Sequence, residues 1–80
     1  MKLEEELRKH LAQRIFPESD ASRLGLDDDL LELLDSIELI RVVAQIETTY
    51  GIEVEDHEMH PQNLGSARKL AEMIRRAQRR

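Results

Sequence analysis

Residues 33–51, LLDSIELIRVVAQIETTYG, decide the fold. From Ser36 onward the apolar residues recur at helical period. Leu39, Val43, Ile46 and Tyr50 form one stripe; Ile37, Ile40 and Ala44 form a second. Together they predict a wide apolar face, as a central helix packed on two neighbours requires. Glu38, Arg41, Gln45 and Thr48 fall on the opposite, solvated side. Asp35 is the expected N-cap, accepting from the backbone N–H of Glu38, while Glu38 reaches back to the N–H of Asp35 in a capping box. Gly51 follows the last periodic residue and takes the C′ position. These roles account for Asp35 and Glu38 but not for Ser36, because the first helical position requires no hydroxyl. A serine there holds its oxygen beside unpaired backbone N–H groups and the positive dipole end, where a phosphate-linked group is well placed.

Upstream, Leu3, Leu7, Leu11 and Ile15 predict a first helix over residues 2–16, ended by Pro17. Residues 17–29, PESDASRLGLDDD, are loop chemistry, with Leu24 and Leu26 pinning the loop to the core. Asp27, Asp28 and Asp29 read as a turn and N-cap ahead of a Leu30–Leu31 turn; they lack the spacing and glycine of a calcium loop. Downstream, the alternation Ile52-Glu53-Val54-Glu55 suggests a short extended stretch with Ile52 and Val54 inward. Asp56 is expected to cap a short helix over residues 57–60, with Pro61 stopping it. Ser66 is the expected N-cap of a last helix whose buried face is Ala67, Leu70, Ala71, Ile74 and Ala77. The expected fold is all-α: a small four-helix bundle with a long loop after helix one and a short third helix, one domain over residues 1–80.

Composition excludes several functions. The 80 residues contain no cysteine, hence no disulfide, thiolate nucleophile or cysteine-based zinc site. No apolar run approaches the ~20 residues of a membrane span, and the N-terminus lacks the apolar core of a signal peptide, so a cytoplasmic protein is expected. Residues 1–60 hold six Lys and Arg against sixteen Asp and Glu, a net −10 that repels nucleic acid. Residues 61–80 hold six against one, a net +5, and the RRAQRR run is read as arginines favouring a helix C-terminus. Phe16 and Tyr50 are the only aromatics, so base stacking is poorly served. His57 and His60, three apart, supply too few strong ligands for a metal site, and no metal is expected. No nucleophile, base and orienting group stand together in the sequence, so no catalytic residues are assigned and no enzyme is expected. Met59 and Met73 are read as core fillers, or Met59, with Val43, Ile46 and Val54, borders a cavity between helices two and three.

LLDSIELIRVVAQIETTYGIEVEDHEM, followed by NLGSARKLAEMI, resembles an acyl carrier protein. The likeness rests on the Asp-Ser-Ile motif, the Tyr50-Gly51-Ile52 turn, Val54, the acidic approach to the short third helix and the cap at Ser66. It implies that Ser36 carries 4′-phosphopantetheine and that Asp35 shapes the helix mouth. It also implies that the arm's thiol holds the cargo as a thioester. The implied partners are a phosphopantetheinyl transferase, a loading ligase or transferase and downstream acyl-using enzymes, which meet a monomer through Ile37, Glu38 and Arg41. Two features depart from the family's common pattern. No glycine occurs between Gly25 and Ser36, and Arg41 and Gln45 stand beside Glu38 where many fatty-acid carriers are strongly acidic. The first implies a differently shaped loop into helix two, and the second argues against a housekeeping role in fatty-acid synthesis; Leu34-Asp35-Ser36-Ile37 also resembles free-standing carriers of specialised pathways. The alternatives are an aminoacyl or peptidyl carrier loaded by an adenylating ligase, or a helical interaction module without an arm.

Overall fold

Pro17 stops the first helix as expected. In the computed structural model, which describes residues 2–79, α1 runs Lys2–Ile15 and Phe16 donates its N–H to the Ala12 carbonyl at 2.7 Å. The loop that follows contains a 3₁₀ turn, Ala21–Arg23, capped by Asp20, whose side chain accepts from the Ser22 N–H at 2.8 Å. Leu24 is buried and Leu26 half-buried, as the sequence predicts. Arg8 of α1 also donates to the Ala21 and Leu24 carbonyls, so a charged residue helps fasten the loop.

A single turn, α2 (Leu30–Leu33), follows, capped by Asp29 accepting from the Leu31 N–H at 2.9 Å. The serine-led helix is α3, Ser36–Tyr50. It ends at Gly51, with φ 63° and ψ 39°. The Ile52 N–H reaches back to the Glu47 carbonyl at 3.2 Å, a bond that the left-handed glycine makes possible.

The short third helix is divided differently from the expectation. A 3₁₀ turn spans Asp56–Glu58 with Glu55, not Asp56, at its N-cap, and Pro61 begins a turn, α4 (Pro61–Leu64), rather than stopping one. The reason is that proline at the first helical position gives up only an N–H that would have no intrahelical partner. The last helix, α5 (Ala67–Gln78), is capped as expected, Ser66 accepting from the Lys69 N–H at 3.1 Å. Among the described residues there is no strand, and the protein is all-α. No helix among the described residues is long and apolar enough to cross a membrane.

Apolar burial holds the bundle together. Leu7, Leu11 and Ala12 of α1, Leu39, Val42, Val43 and Ile46 of α3, and Leu70, Ala71, Met73 and Ile74 of α5 form one cluster. The predicted second stripe of α3 is not part of it. Ile37 is 65% and Ile40 57% exposed, and Ala44 is exposed too. The buried stripe is instead extended on its other side by Val42. The helical period fixes the angle of each residue on the helix but not how many neighbours cover it.

Arg75 is another departure. It does not simply favour its own helix end but reaches Glu4 of α1, a residue 7% exposed, through two hydrogen bonds, one of 2.8 Å. Those bonds hold the Glu4 carboxyl at about 2, below its ordinary 4.5. Arg76 donates to Asn63 at 2.8 Å, and Arg80 lies outside the described residues.

Candidate functional site

Two buried leucines fix where Ser36 sits. Leu34 precedes the helix start and Leu39 follows it, each less than a tenth exposed, so the four residues between them lie across the surface. The Leu34 N–H donates to the Leu30 carbonyl at 2.8 Å, tying the approach to α2. The Leu30 N–H in turn donates to the Gly65 carbonyl at 2.9 Å, and the Arg68 N–H of α5 to the Leu26 carbonyl at 3.1 Å. Asp27 adds an ion pair to Arg68 at 2.8 Å, which holds the Asp27 carboxyl below the usual range. The segment entering α3 is thus anchored to the start of α5. It needs no glycine before Asp35, because the only positive φ among the described residues is that of Gly51.

Asp35 caps α3 as the sequence predicts, its Oδ1 accepting from the Glu38 N–H at 2.8 Å. The reciprocal half of the capping box does not form. The Glu38 carboxylate is drawn away by two arginines: Arg14 of α1 donates to Oε2 at 2.8 Å and Arg41 to Oε1 at 3.5 Å. A charge-assisted bond to a guanidinium is stronger than one to a neutral amide, so the arginines win. Arg14 also donates to Gln45 at 3.1 Å. Sequence reasoning missed Arg14, because nothing in the periodicity of α1 points to a partner on α3.

The four serines are not equivalent. The Ser66 hydroxyl is a buried cap, Ser19 accepts from Arg23 at 3.3 Å, and Ser22 bonds to Asp20. Ser36 is exposed, and its hydroxyl has no partner among the described residues. Its oxygen stands at the mouth of a 15-residue helix, where the first-turn N–H groups favour an anion. That arrangement suits a phosphodiester formed on the side chain.

Met59 and Val54 pack on the core, and the apolar cleft lies on the other flank of α3, toward α1. Leu7, Leu11, Val42 and Ile46 line it, with His10, Arg14 and Gln45 among its polar lining. It holds about 40 Å³. That is room for about three groups the size of a water, so a longer aliphatic chain must part the helices or lie outside. The two histidines do not converge: His57 Nδ1 lies 3.3 Å from Glu55, whereas His60 Nε2 lies 3.3 Å from Asn63.

Comparison with known families agrees with this geometry. The phosphopantetheine attachment site family matches residues 5–74, from the first turn of α1 almost to the end of α5. No individual curated protein matches the chain. With a serine on a capped helix mouth inside a match that spans most of its length, the chain belongs to the phosphopantetheine attachment site family of acyl carrier domains, whose members carry 4′-phosphopantetheine covalently.

Proposed function

We propose that this protein is a carrier that bears 4′-phosphopantetheine on Ser36 and presents an acyl thioester to partner enzymes of a specialised biosynthetic pathway. The observation that carries the reading is the Ser36 hydroxyl, the one serine hydroxyl among the described residues with no partner, exposed at the mouth of α3. Attachment joins the Ser36 oxygen to the β-phosphorus of coenzyme A. The bond to the departing 3′,5′-ADP breaks, and the hydroxyl proton passes to a base of the transferase. The arm supplies the thiol that a cysteine-free chain lacks. Asp35 fixes the helix mouth, and Ile37, Glu38 and Arg41 meet the partners.

An aminoacyl or peptidyl cargo, loaded by an adenylating ligase, is the second reading. It is favoured by the same observation that favours a specialised pathway: Glu38 is held between Arg14 and Arg41, so α3 does not offer a strongly acidic face. A module without an arm is the reading that the experiment must exclude. With a phosphopantetheinyl transferase and coenzyme A, the intact mass should rise by one phosphopantetheine, mapped to Ser36. Ser36→Ala should keep its helical circular dichroism and gain no mass. Modification of that variant, or of Ser19, Ser22 or Ser66, would sink the assignment. The mass of the cargo-loaded form then separates acyl from aminoacyl.

A further inference from the structure

The Asn63 amide is held at three points. Its Nδ2 donates to the Glu58 carbonyl at 2.9 Å, its Oδ1 accepts from Arg76 of α5 at 2.8 Å, and Nδ2 also lies 3.3 Å from His60 Nε2. The first two contacts fix which way the amide faces. Turned over, it would set its oxygen against a carbonyl and its nitrogen against a guanidinium, which can only donate. With Nδ2 so placed, the contact to His60 is a hydrogen bond only if Nε2 accepts. The ring is then neutral, with its hydrogen on Nδ1. A second proton would put two N–H groups face to face and add a positive charge on the side of Arg76. His60 and Asn63 are both half-buried, so water replaces the lost bond only in part.

The turn α4 leans on this arrangement. It is a single turn, Pro61–Leu64, and its N-cap, His60, makes no side-chain cap bond. One turn cannot hold itself in water, so it stands by its attachments. Leu64 is buried, and the bond from Arg76 to Asn63 ties the turn to α5. The Gly65 carbonyl beyond it takes the Leu30 N–H, so α4 also anchors the segment that leads to Ser36. We propose that His60, Asn63 and Arg76 form a pH-sensitive clasp, which fastens α4 to α5 while the His60 ring is neutral and loosens it when the ring takes a proton. The inference does not rest on the carrier reading. Arg76 is the charge that faces the pair from α5, with Glu72 one turn before it. His57, Glu55, Asp56 and Glu58 stand on the preceding turn, so a protonated ring that leaves Asn63 has carboxylates to turn to. Asp27, Asp29 and Lys69 lie by Pro61 and Gly65, on the other side of α4.

Two nuclear magnetic resonance measurements on the full chain test the clasp. At about pH 7.5, the nitrogen spectrum of the His60 ring should show the tautomer with hydrogen on Nδ1. Amide exchange, corrected for the intrinsic effect of pH, reads the opening of α4 at Asn63, Leu64 and Gly65, whose N–H groups donate to the His60 and Pro61 carbonyls. Between about pH 7.5 and about pH 5.5 that opening should rise about fivefold, the scale of one hydrogen bond lost at a half-buried site. His60→Gln keeps an acceptor that does not titrate, so its opening should be equal at both pH values. Asn63→Asp offers a carboxylate to the protonated ring and should reverse the sign, opening less at the lower pH. Hydrogen on Nε2, no rise in the wild type, a rise that His60→Gln shares, or an Asn63→Asp chain that opens more in acid would each overturn the clasp. If circular dichroism shows that Asn63→Asp does not fold, the tautomer and the His60→Gln comparison decide. None of these outcomes bears on attachment at Ser36.

Discussion

Arg14 of α1 donates to Glu38 of α3 at 2.8 Å, joining residues 24 apart in sequence and placing a cation over the helix that Ser36 begins. Each side chain is about one-third exposed. Arg14→Ala should therefore cost under about 1 kcal/mol, measured as a denaturant midpoint. It also frees negative charge on Glu38, so kcat/KM with a basic partner enzyme should rise at low salt and not at high salt. No rise at low salt would show that partners do not sense Glu38.

Asp35 makes the one side-chain bond that caps α3, to the Glu38 N–H. Asp35→Ala should destabilise the fold by about 0.5–2 kcal/mol. It should also slow phosphopantetheinyl transfer, because the helix mouth loses its fixed geometry. Wild-type values of both midpoint and rate would remove the cap from the account of the site.

Arg41 is the outward cation of the site, its side chain 67% exposed. The family resemblance implies partners with basic patches, against which a like charge costs encounter rate. Arg41→Glu should raise kcat/KM with generic fatty-acid synthase enzymes and lower it with a dedicated ligase or transferase, with little change in Tm. The check is steady-state kinetics with both partners at two salt concentrations. Unchanged values at low salt would leave Arg41 a solvated helix residue and weaken the case for a specialised pathway.

Glu4 and Arg75 make stability depend on acid. The Glu4 carboxyl sits at about 2 when folded against 4.5 ordinarily, through its hydrogen bonds from Arg75. Above about pH 4.5 both folded and unfolded chains are ionised there and the contribution is complete. As pH falls below that, the unfolded chain takes up a proton that the folded chain refuses, and the contribution is gone below about 2. Arg75→Gln should flatten the loss of urea midpoint between about pH 5 and about pH 3 relative to wild type. Parallel slopes in the two proteins would show that this pair does not set the acid limit.

The helix that carries the site was legible from the chain itself. Asp35 and Ser66 as caps, Gly51 as the left-handed terminator and Pro17 as a stop are local instructions, each set by the geometry of a few neighbouring backbone groups. The placement of Ser36 at the first position of α3 followed from the same local grammar, and so did the family likeness. Pro61 shows the limit even there, because a proline both ends one helix and begins another, and only the surrounding fold selects between them.

What the tertiary structure decided is which side of each helix meets which neighbour. Periodicity placed Ile37, Ile40 and Ala44 on one arc of α3 but could not say that the arc stays uncovered. The local pattern makes Glu38 the second half of a capping box, and an arginine from another helix claims it instead. Glu4 sits in the first turn of α1, and its partner Arg75 lies 71 residues away. Hydrogen-bond geometry within one turn is fixed by sequence distance. A contact between helices depends on how far apart and at what angle they pack, and on competition between charges that no single segment contains.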